Sequence, residues 1–219
     1  MSEVSDPIFA RIAARYDLIN RILSLGQEGK WRARGIAMLG PGRVLDLGCG
    51  TGATDFDDRA VVGLDPVVEM LALSPVPDRV VGVGEALPFA EGSFGGVFIG
   101  FVFRNLGSVD VTLAEVRRVL KPGSVAVVVD LARPRNPFLR LLHRLGTAVV
   151  LPVVGLVFAG APGEYWYLHK SLDALPAPEV LFEGHGLTVE EVWRMGLFGF
   201  VYGVRLRKPS FLMQGVTDT

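Results

Sequence analysis

Apolar positions along the chain follow two rhythms. Ile8, Ile12, Ile19 and Leu23 recur at spacings of four and seven, which predicts an amphipathic helix over residues 8–25, closed by Gly26. A second helix is predicted over Glu28 to Met38, with Gly40-Pro41-Gly42 as punctuation. Short, continuously apolar runs then alternate with helical stretches. Arg43 to Leu47 reads as a short buried strand, and Ala60 to Leu64, Arg79 to Val83, Gly96 to Phe101 and Ser124 to Asp130 read as further strands. Pro66 to Leu73 and Asp110 to Leu120 read as helices between them, and Lys121-Pro122-Gly123 as a turn. The C-terminal part offers a helix around Ala177 to Glu183 and two strand-like runs, Leu187 to Arg194 and Phe200 to Arg207. Strands that are apolar throughout and alternate with helices predict an α/β fold, a mainly parallel sheet covered on both faces. Ligands on such a sheet bind at the carboxyl ends of the strands.

The first strand feeds a glycine loop, Asp46-Leu47-Gly48-Cys49-Gly50-Thr51-Gly52. Glycines at this spacing let the backbone turn sharply and approach a ligand closely. The pattern is neither the G-x-G-x-x-G of a dinucleotide fold nor a P-loop, since no Gly-Lys-Ser/Thr follows. Asp65 ends the second strand, where a carboxylate can accept hydrogen bonds from both hydroxyls of a ribose. The combination favours S-adenosylmethionine, a nucleoside without phosphate, over a nicotinamide cofactor. Cys49 reads as a small filler between glycines. Twelve residues separate Gly52 from Asp65, and five of them belong to the strand Ala60 to Leu64. The seven that remain allow about two helical turns at most.

Composition narrows the class further. The chain has 219 residues, half of them hydrophobic, with a formal charge of −1 and a mean hydropathy of +0.40. That excludes a disordered chain and gives no basic field for nucleic acid. One cysteine forms no internal disulfide, so a reducing, cytoplasmic setting is expected. His143, His169 and His185 are scattered and form no metal-ligand cluster. The N-terminus lacks the basic and apolar regions of a signal peptide. From Leu145 to Gly163, 19 residues carry no charge. Gly146, Pro152, Gly155 and Gly160 interrupt that run, and a basic amphipathic start, Phe138 to Arg144, precedes it. A hairpin-like lid that touches the membrane surface is expected here in preference to a spanning helix.

Several motifs beyond the glycine loop resemble the UbiE/MenG group of class I S-adenosylmethionine-dependent methyltransferases, the C-methylases of ubiquinone and menaquinone biosynthesis. They are Ile12-Ala-Ala-Arg-Tyr16-Asp17-Leu-Ile-Asn20, Trp31-Arg32, Gly63-Leu-Asp65-Pro66 with Glu69-Met70-Leu71, and Glu85-Ala86-Leu-Pro-Phe89. The most specific are Phe101-Val-Phe-Arg104-Asn105-Leu106 and Glu115-Val-Arg-Arg-Val-Leu-Lys-Pro-Gly123, followed later by Tyr165-Trp-Tyr-Leu168 with Ser171. The similarity runs from about Phe9 to Lys208. It implies a Rossmann-like, doubly wound, seven-stranded sheet with N-terminal helices and a lid. One domain is expected, with cap helices over 1–39, a cofactor core over 43–130, an apolar lid over 135–175 and a C-terminal helix and strands over 176–208.

The resemblance implies a cofactor set of Tyr16, Asp46, Gly48, Cys49, Gly50, Gly52, Asp65, Pro66, Met70, Glu85, Ala86 and Phe101. Trp31, Tyr165, Tyr167 and Ser171 are implied for the acceptor, a lipid quinol or another apolar small molecule. Arg104 and Asn105 are the candidate catalytic pair. Methylating a ring carbon requires the quinol to lose a phenolic proton, and the methyl must then lie in line near 3 Å. A guanidinium suits stabilising the developing phenolate better than acting as the base, so water or a carboxylate takes the proton. Neither a nucleic-acid partner nor a metal is expected. A non-catalytic protein that binds a lipid or a partner stays open as the alternative, as does a methyltransferase for another small acceptor.

Overall fold

The computed structural model describes residues 13, 17–154, 156, 172–173 and 176–210. Its centre is a seven-stranded sheet: β1 (Val44–Leu47), β2 (Val61–Asp65), β3 (Asp78–Val81), β4 (Phe94–Gly100), β5 (Leu120–Leu131), β6 (Thr188–Met195) and β7 (Val201–Arg207). The spatial order is β3-β2-β1-β4-β5-β7-β6. All neighbours are parallel except β7, which runs antiparallel to both β5 and β6. The expected α/β, Rossmann-like sheet is present.

The central strands β1, β2, β4 and the second half of β5 are largely apolar because both faces are buried, whereas the edge strands β3 and β6 carry exposed polar residues. Val97 and Ile99 of β4, with Ala126 and Val128 of β5, pack on one face against Leu113, Val116 and Val119. The intervening Phe98, Val125, Val127 and Val129 pack on the other face against Trp31 and Ile36. This period-two division lets a single strand serve two cores. Helix α1 (Glu28–Ile36) supplies Trp31 and Ile36, α2 (Val68–Leu73) follows β2, and α3 (Val109–Val119) supplies the opposite face. The α3 start is capped by the Ser108 hydroxyl, which accepts from Val111 N at 3.3 Å. Glu115 and Arg118 of α3 pair with each other and hold the loop before β4. Glu115 accepts from Leu87 N, and Arg118 donates to the carbonyls of Leu87 and Phe89.

Three elements differ from the sequence expectation. The Lys121-Pro122-Gly123 turn is a bulge inside β5, since Phe94 pairs with Leu120 and Gly96 with Val125. Gly123 N donates to Lys208 O at 2.9 Å, so pairing with the chain beyond β7 keeps this stretch in the sheet. The C-terminal helix is only α5 (Pro178–Leu181). The amphipathic start and the first half of the uncharged run form one helix, α4 (Pro137–Val154), with Pro152 inside its last turn. By length and composition α4 is apolar enough to cross a membrane.

The short β1–β2 connection carries no helix among residues 53–60. Phe56 fills the space instead. It is buried and stands edge-on to Phe98, with ring centroids 5.7 Å apart. Residues 17–23 are helical, and Gly26, at φ +72°, turns the chain after them with its N–H on Arg21 O. Residues 8–12 and 14–16 of the predicted first helix lie outside the described residues.

Candidate active site

The strand order reverses between β1 and β4, and a cleft of about 700 Å³ opens there at the carboxyl ends of β1, β2 and β4. Gly48, Cys49, Gly50, Asp65, Pro66, Met70, Phe101 and Asn105 line it, all of them residues the sequence singled out. Asp65 fixes the loop. Its Oδ2 accepts from Gly50 N and its Oδ1 from Val67 N, both at 2.9 Å, so one carboxylate ties the glycine loop to the start of α2. Gly50 has φ +55°, and a Cβ there would project into open space. Only glycine takes that conformation without strain while leaving the space clear.

Four expected cofactor residues sit elsewhere. Asp46 points away from the cleft because strand parity turns it, with its register partner Phe98, toward α1. Gly52 is a glycine for packing, since an added Cβ would collide with Ser74 Oγ and Pro75 Cδ. Glu85 turns to the start of α3, where its Oε1 accepts from Gly107 N at 2.7 Å and Ser108 N at 3.1 Å. Unfilled amides at a helix N-terminus attract a carboxylate. Ala86 closes a bridge to Val83 and does not reach the cleft. Tyr16 lies outside the described residues, but its neighbour Asp17 accepts from Thr51 Oγ1 at 2.7 Å, joining the N-terminal helical residues to the glycine loop.

Asp46 is 1% exposed, and neither carboxylate oxygen has a partner among the described residues. Burial pushes its carboxyl up to about 7, against the pull of Arg32 and with a push from Asp65. Asp65 leaves a carboxylate on the cleft wall, and with the open face at Gly50 it fits S-adenosylmethionine, which carries a sulfonium and an ammonium. Cys49 is buried against Gly63, and burial with the two carboxylates pushes its thiol far up. It lines the cleft as a buried thiol.

A second, apolar cavity of about 860 Å³ opens on the α4 side of the cleft. Trp31, Arg104, Leu131, Leu151 and Phe200 are among its walls, with His143 and Thr147 from α4. Trp31 is therefore where the acceptor reading wants it, whereas Tyr165, Tyr167 and Ser171 lie outside the described residues. The two candidate catalytic residues divide. Asn105 faces the cofactor cleft and Arg104 the apolar cavity. Arg104 Nη1 lies 3.1 Å from Asp130 Oδ1. Asp130 also accepts from Phe103 N and Leu131 N. Burial raises its carboxyl pKa, and Arg104 is the largest influence pulling the other way.

Phe101 is the one residue of the sequence-derived set that lines both spaces. It sits at φ +64°, a conformation that costs a non-glycine residue about 1 kcal/mol or more. Arg32 holds it, with its guanidinium carbon 5.0 Å from the ring centroid. Arg32 also donates to Glu28 Oε1 at 2.8 and 2.9 Å and to Thr54 Oγ1 at 3.0 Å. Arg32 was missed as a site residue by sequence reasoning. The available signal is a charged side chain inside the buried stripe of α1, between Trp31 and Gly35. His143 and Thr147 were missed as well. They meet Arg133 at 3.2 and 2.9 Å and so fasten α4 over the cavity. Among the described residues no cluster could hold a metal.

The sequence matches the ubiE/COQ5 methyltransferase family over residues 2–189. A demethylmenaquinone methyltransferase of Thermus thermophilus is 39% identical over 191 residues, covering 80% of this chain and 87% of its own. A ubiquinone/menaquinone biosynthesis C-methyltransferase of Syntrophotalea carbinolica is 39% identical over 189 residues, covering 78% of this chain and 79% of its own. Among solved structures, a SAM-dependent methyltransferase of Thermotoga maritima, described as a possible histamine N-methyltransferase, superposes with a TM-score of 0.61. At 19% identity, covering 93% of this chain and 99% of that one, it shows the fold. With motifs, sheet order and sequence similarity in agreement, this chain belongs to the ubiE/COQ5 methyltransferase family.

Proposed function

We infer that the protein is an S-adenosylmethionine-dependent C-methyltransferase acting on a lipid quinol, either demethylmenaquinol or a polyprenyl benzoquinol. The observation that carries this reading is Phe101, a single strained residue standing between a cleft fitted for a cationic nucleoside and an apolar cavity. A methyl passed from one space to the other travels past that residue. Membership of a methyltransferase family and similarity to quinone-pathway methyltransferases favour the enzymatic reading over a non-catalytic lipid binder.

Bound S-adenosylmethionine supplies an electrophilic methyl on a sulfonium. Everything else falls to this chain's side chains. Gly48, Gly50 and Asp65 hold the nucleoside end, and Asn105 lies on the cleft side beside Phe101. Arg104 stabilises the phenolate of the acceptor, and Asp130 keeps its guanidinium turned to the cavity. Glu28 lines the same cavity, and we assign it the phenolic proton. The ring carbon then takes the methyl as the carbon–sulfur bond breaks, the sulfonium leaving as a neutral thioether, and the ring carbon's own proton passes to solvent, which restores the aromatic ring.

The outer face of α4 supports contact with a lipid surface. Phe138, Leu141, Leu142, Leu145, Val149 and Val153 are all exposed and recur at helical spacing, while His143, Thr147 and Leu151 turn to the cavity. An apolar exterior over an acceptor cavity gives a polyprenyl chain a dry route from the bilayer. The reading is tested by radiolabelled methyl transfer with a demethylmenaquinol and a polyprenyl benzoquinol side by side. Labelled product from either supports it. No product from either, alongside measurable S-adenosylmethionine binding, overturns the acceptor assignment.

A further inference from the structure

A third cavity, about 800 Å³ and open to solvent, lies below the N-terminal end of α4. It adjoins the acceptor cavity, sharing Arg104 and Leu131 with it. Its walls are unlike those of the other two. Five arginines line it: Arg104, Arg133, Arg135, Arg140 and Arg194. They come from the loop after β4, the segment joining β5 to α4, α4 itself, and β6. Among the described residues three carboxylates answer them. Asp130 pairs with Arg104, Asp173 with Arg133, and Glu179 with both Arg135 and Arg194. Asp173 also lies 3.6 Å from Arg144, a sixth arginine at the edge.

Among the described residues five arginines face three carboxylates, so the balance there is positive: Arg135 and Arg194 share Glu179, and Arg140 has no carboxylate. Arg140 meets no carboxylate among the described residues, donating only to the carbonyls of Pro134 at 3.0 Å and Arg135 at 3.4 Å. Arg194, whose Nη2 meets Glu179, has a buried Nε with no hydrogen-bond acceptor among the described residues. A second kind of group is unsatisfied at the same place. Tyr202 is 2% exposed, lines this cavity, and its hydroxyl has no hydrogen-bond partner among the described residues. A buried donor without an acceptor is costly unless something else fills the role. Several guanidinium groups and a phenol among the walls of one space are donors of the kind that the oxygens of a phosphate group take.

We propose that this arginine-lined cavity is a phosphate-binding site, separate from the cofactor cleft and next to the mouth of the acceptor cavity. Two sources present that chemistry: free phosphate, and the headgroup of an anionic phospholipid under α4. Titration calorimetry of the full chain with inorganic phosphate reads the first. Flotation with phosphatidylglycerol vesicles, against phosphatidylcholine vesicles, reads the second. Arg140→Gln and Tyr202→Phe remove no ion pair seen among the described residues, so both variants are expected to fold. Arg43→Gln, at the opposite end of β1, is the control for bulk charge.

The expected result is binding in at least one arm, weakened tenfold or more by Arg140→Gln and threefold or more by Tyr202→Phe, with Arg43→Gln unchanged. Loss in the phosphate arm identifies a free anion, and loss confined to phosphatidylglycerol identifies a headgroup. Absence of binding in both arms overturns the site. So does binding that neither cavity variant weakens, or that Arg43→Gln weakens equally.

Discussion

Arg104 and Asp130 meet at 3.1 Å from different elements, a short helical turn after β4 and the end of β5. The carboxylate is almost wholly inside the protein, and the arginine is the partner that borders the acceptor cavity. Removing one member of a buried pair costs about 3–5 kcal/mol of stability, so the test of Arg104 needs a variant that keeps the charge. Arg104→Lys is expected to stay folded and to retain S-adenosylmethionine affinity while methyl transfer falls at least tenfold, because an ammonium lacks the planar fork. Arg104→Ala is expected to abolish transfer. Turnover within about threefold of wild type, a barrier change under about 0.7 kcal/mol, would remove Arg104 from the chemistry.

Asp46 makes the ligand-free protein sensitive to pH. Its carboxyl titrates at about 7 in the folded chain against 3.8 for the ordinary group. Between those values the folded state holds a proton that the unfolded state has released. This contribution is fully present below about pH 4 and is lost as pH rises through 7. The shift corresponds to roughly 4 kcal/mol. Asp46→Asn mimics the protonated form, so its stability relative to wild type is expected to rise steadily from pH 4 to pH 7.5. Parallel denaturant-midpoint profiles for the two proteins would contradict this.

Phe101 separates two effects that mutations usually mix. Phe101→Gly and Phe101→Ala remove the same ring from between the two cavities, but only alanine keeps the left-handed strain. Gly is expected to be more stable than Ala by about 1 kcal/mol, the reverse of their usual order in regular structure. Both variants should lose methyl transfer and keep cofactor binding. Thermal unfolding and calorimetry read the two halves, and an Ala variant at least as stable as Gly refutes the strain.

The outer face of α4 makes a prediction for lipid contact. Substituting Leu141, Leu145 and Val149 together with Ser leaves the cavity-facing His143 and Thr147 untouched. The wild-type chain is expected to float with liposomes and the triple variant to remain below. Equal recovery of both in the soluble fraction counts against the contact.

Much of this was legible before any tertiary structure. Strands β1, β2, β4 and the second half of β5 appear as apolar runs because a strand buried on both faces has little polar side to show. The glycine loop and Asp65 were legible because backbone approach and a strand-end carboxylate impose residue types locally. That the connection before β2 is short follows from counting, since seven residues allow about two helical turns at most; that no helix forms there and Phe56 fills the space is seen only in the structure. Other features were not legible. The interruption at Lys121-Pro122-Gly123 reads as a turn, yet pairing with the chain beyond β7 holds it in β5. Glu85 and Asp46 share motifs with cleft residues, but a turn and strand parity aim them elsewhere.

By itself the sequence determined the sheet, the cofactor loop and the family, because each rests on short-range patterns of polarity and backbone freedom. The tertiary structure alone decided which space each side chain serves. Arg104 and Asn105 are adjacent in the chain yet face different cavities. Arg32 reaches Phe101, and Arg104 is held by Asp130, 26 residues away. Five arginines from separate segments converge below α4. Charge pairing and cavity walls depend on distances across the fold, and no local pattern encodes them.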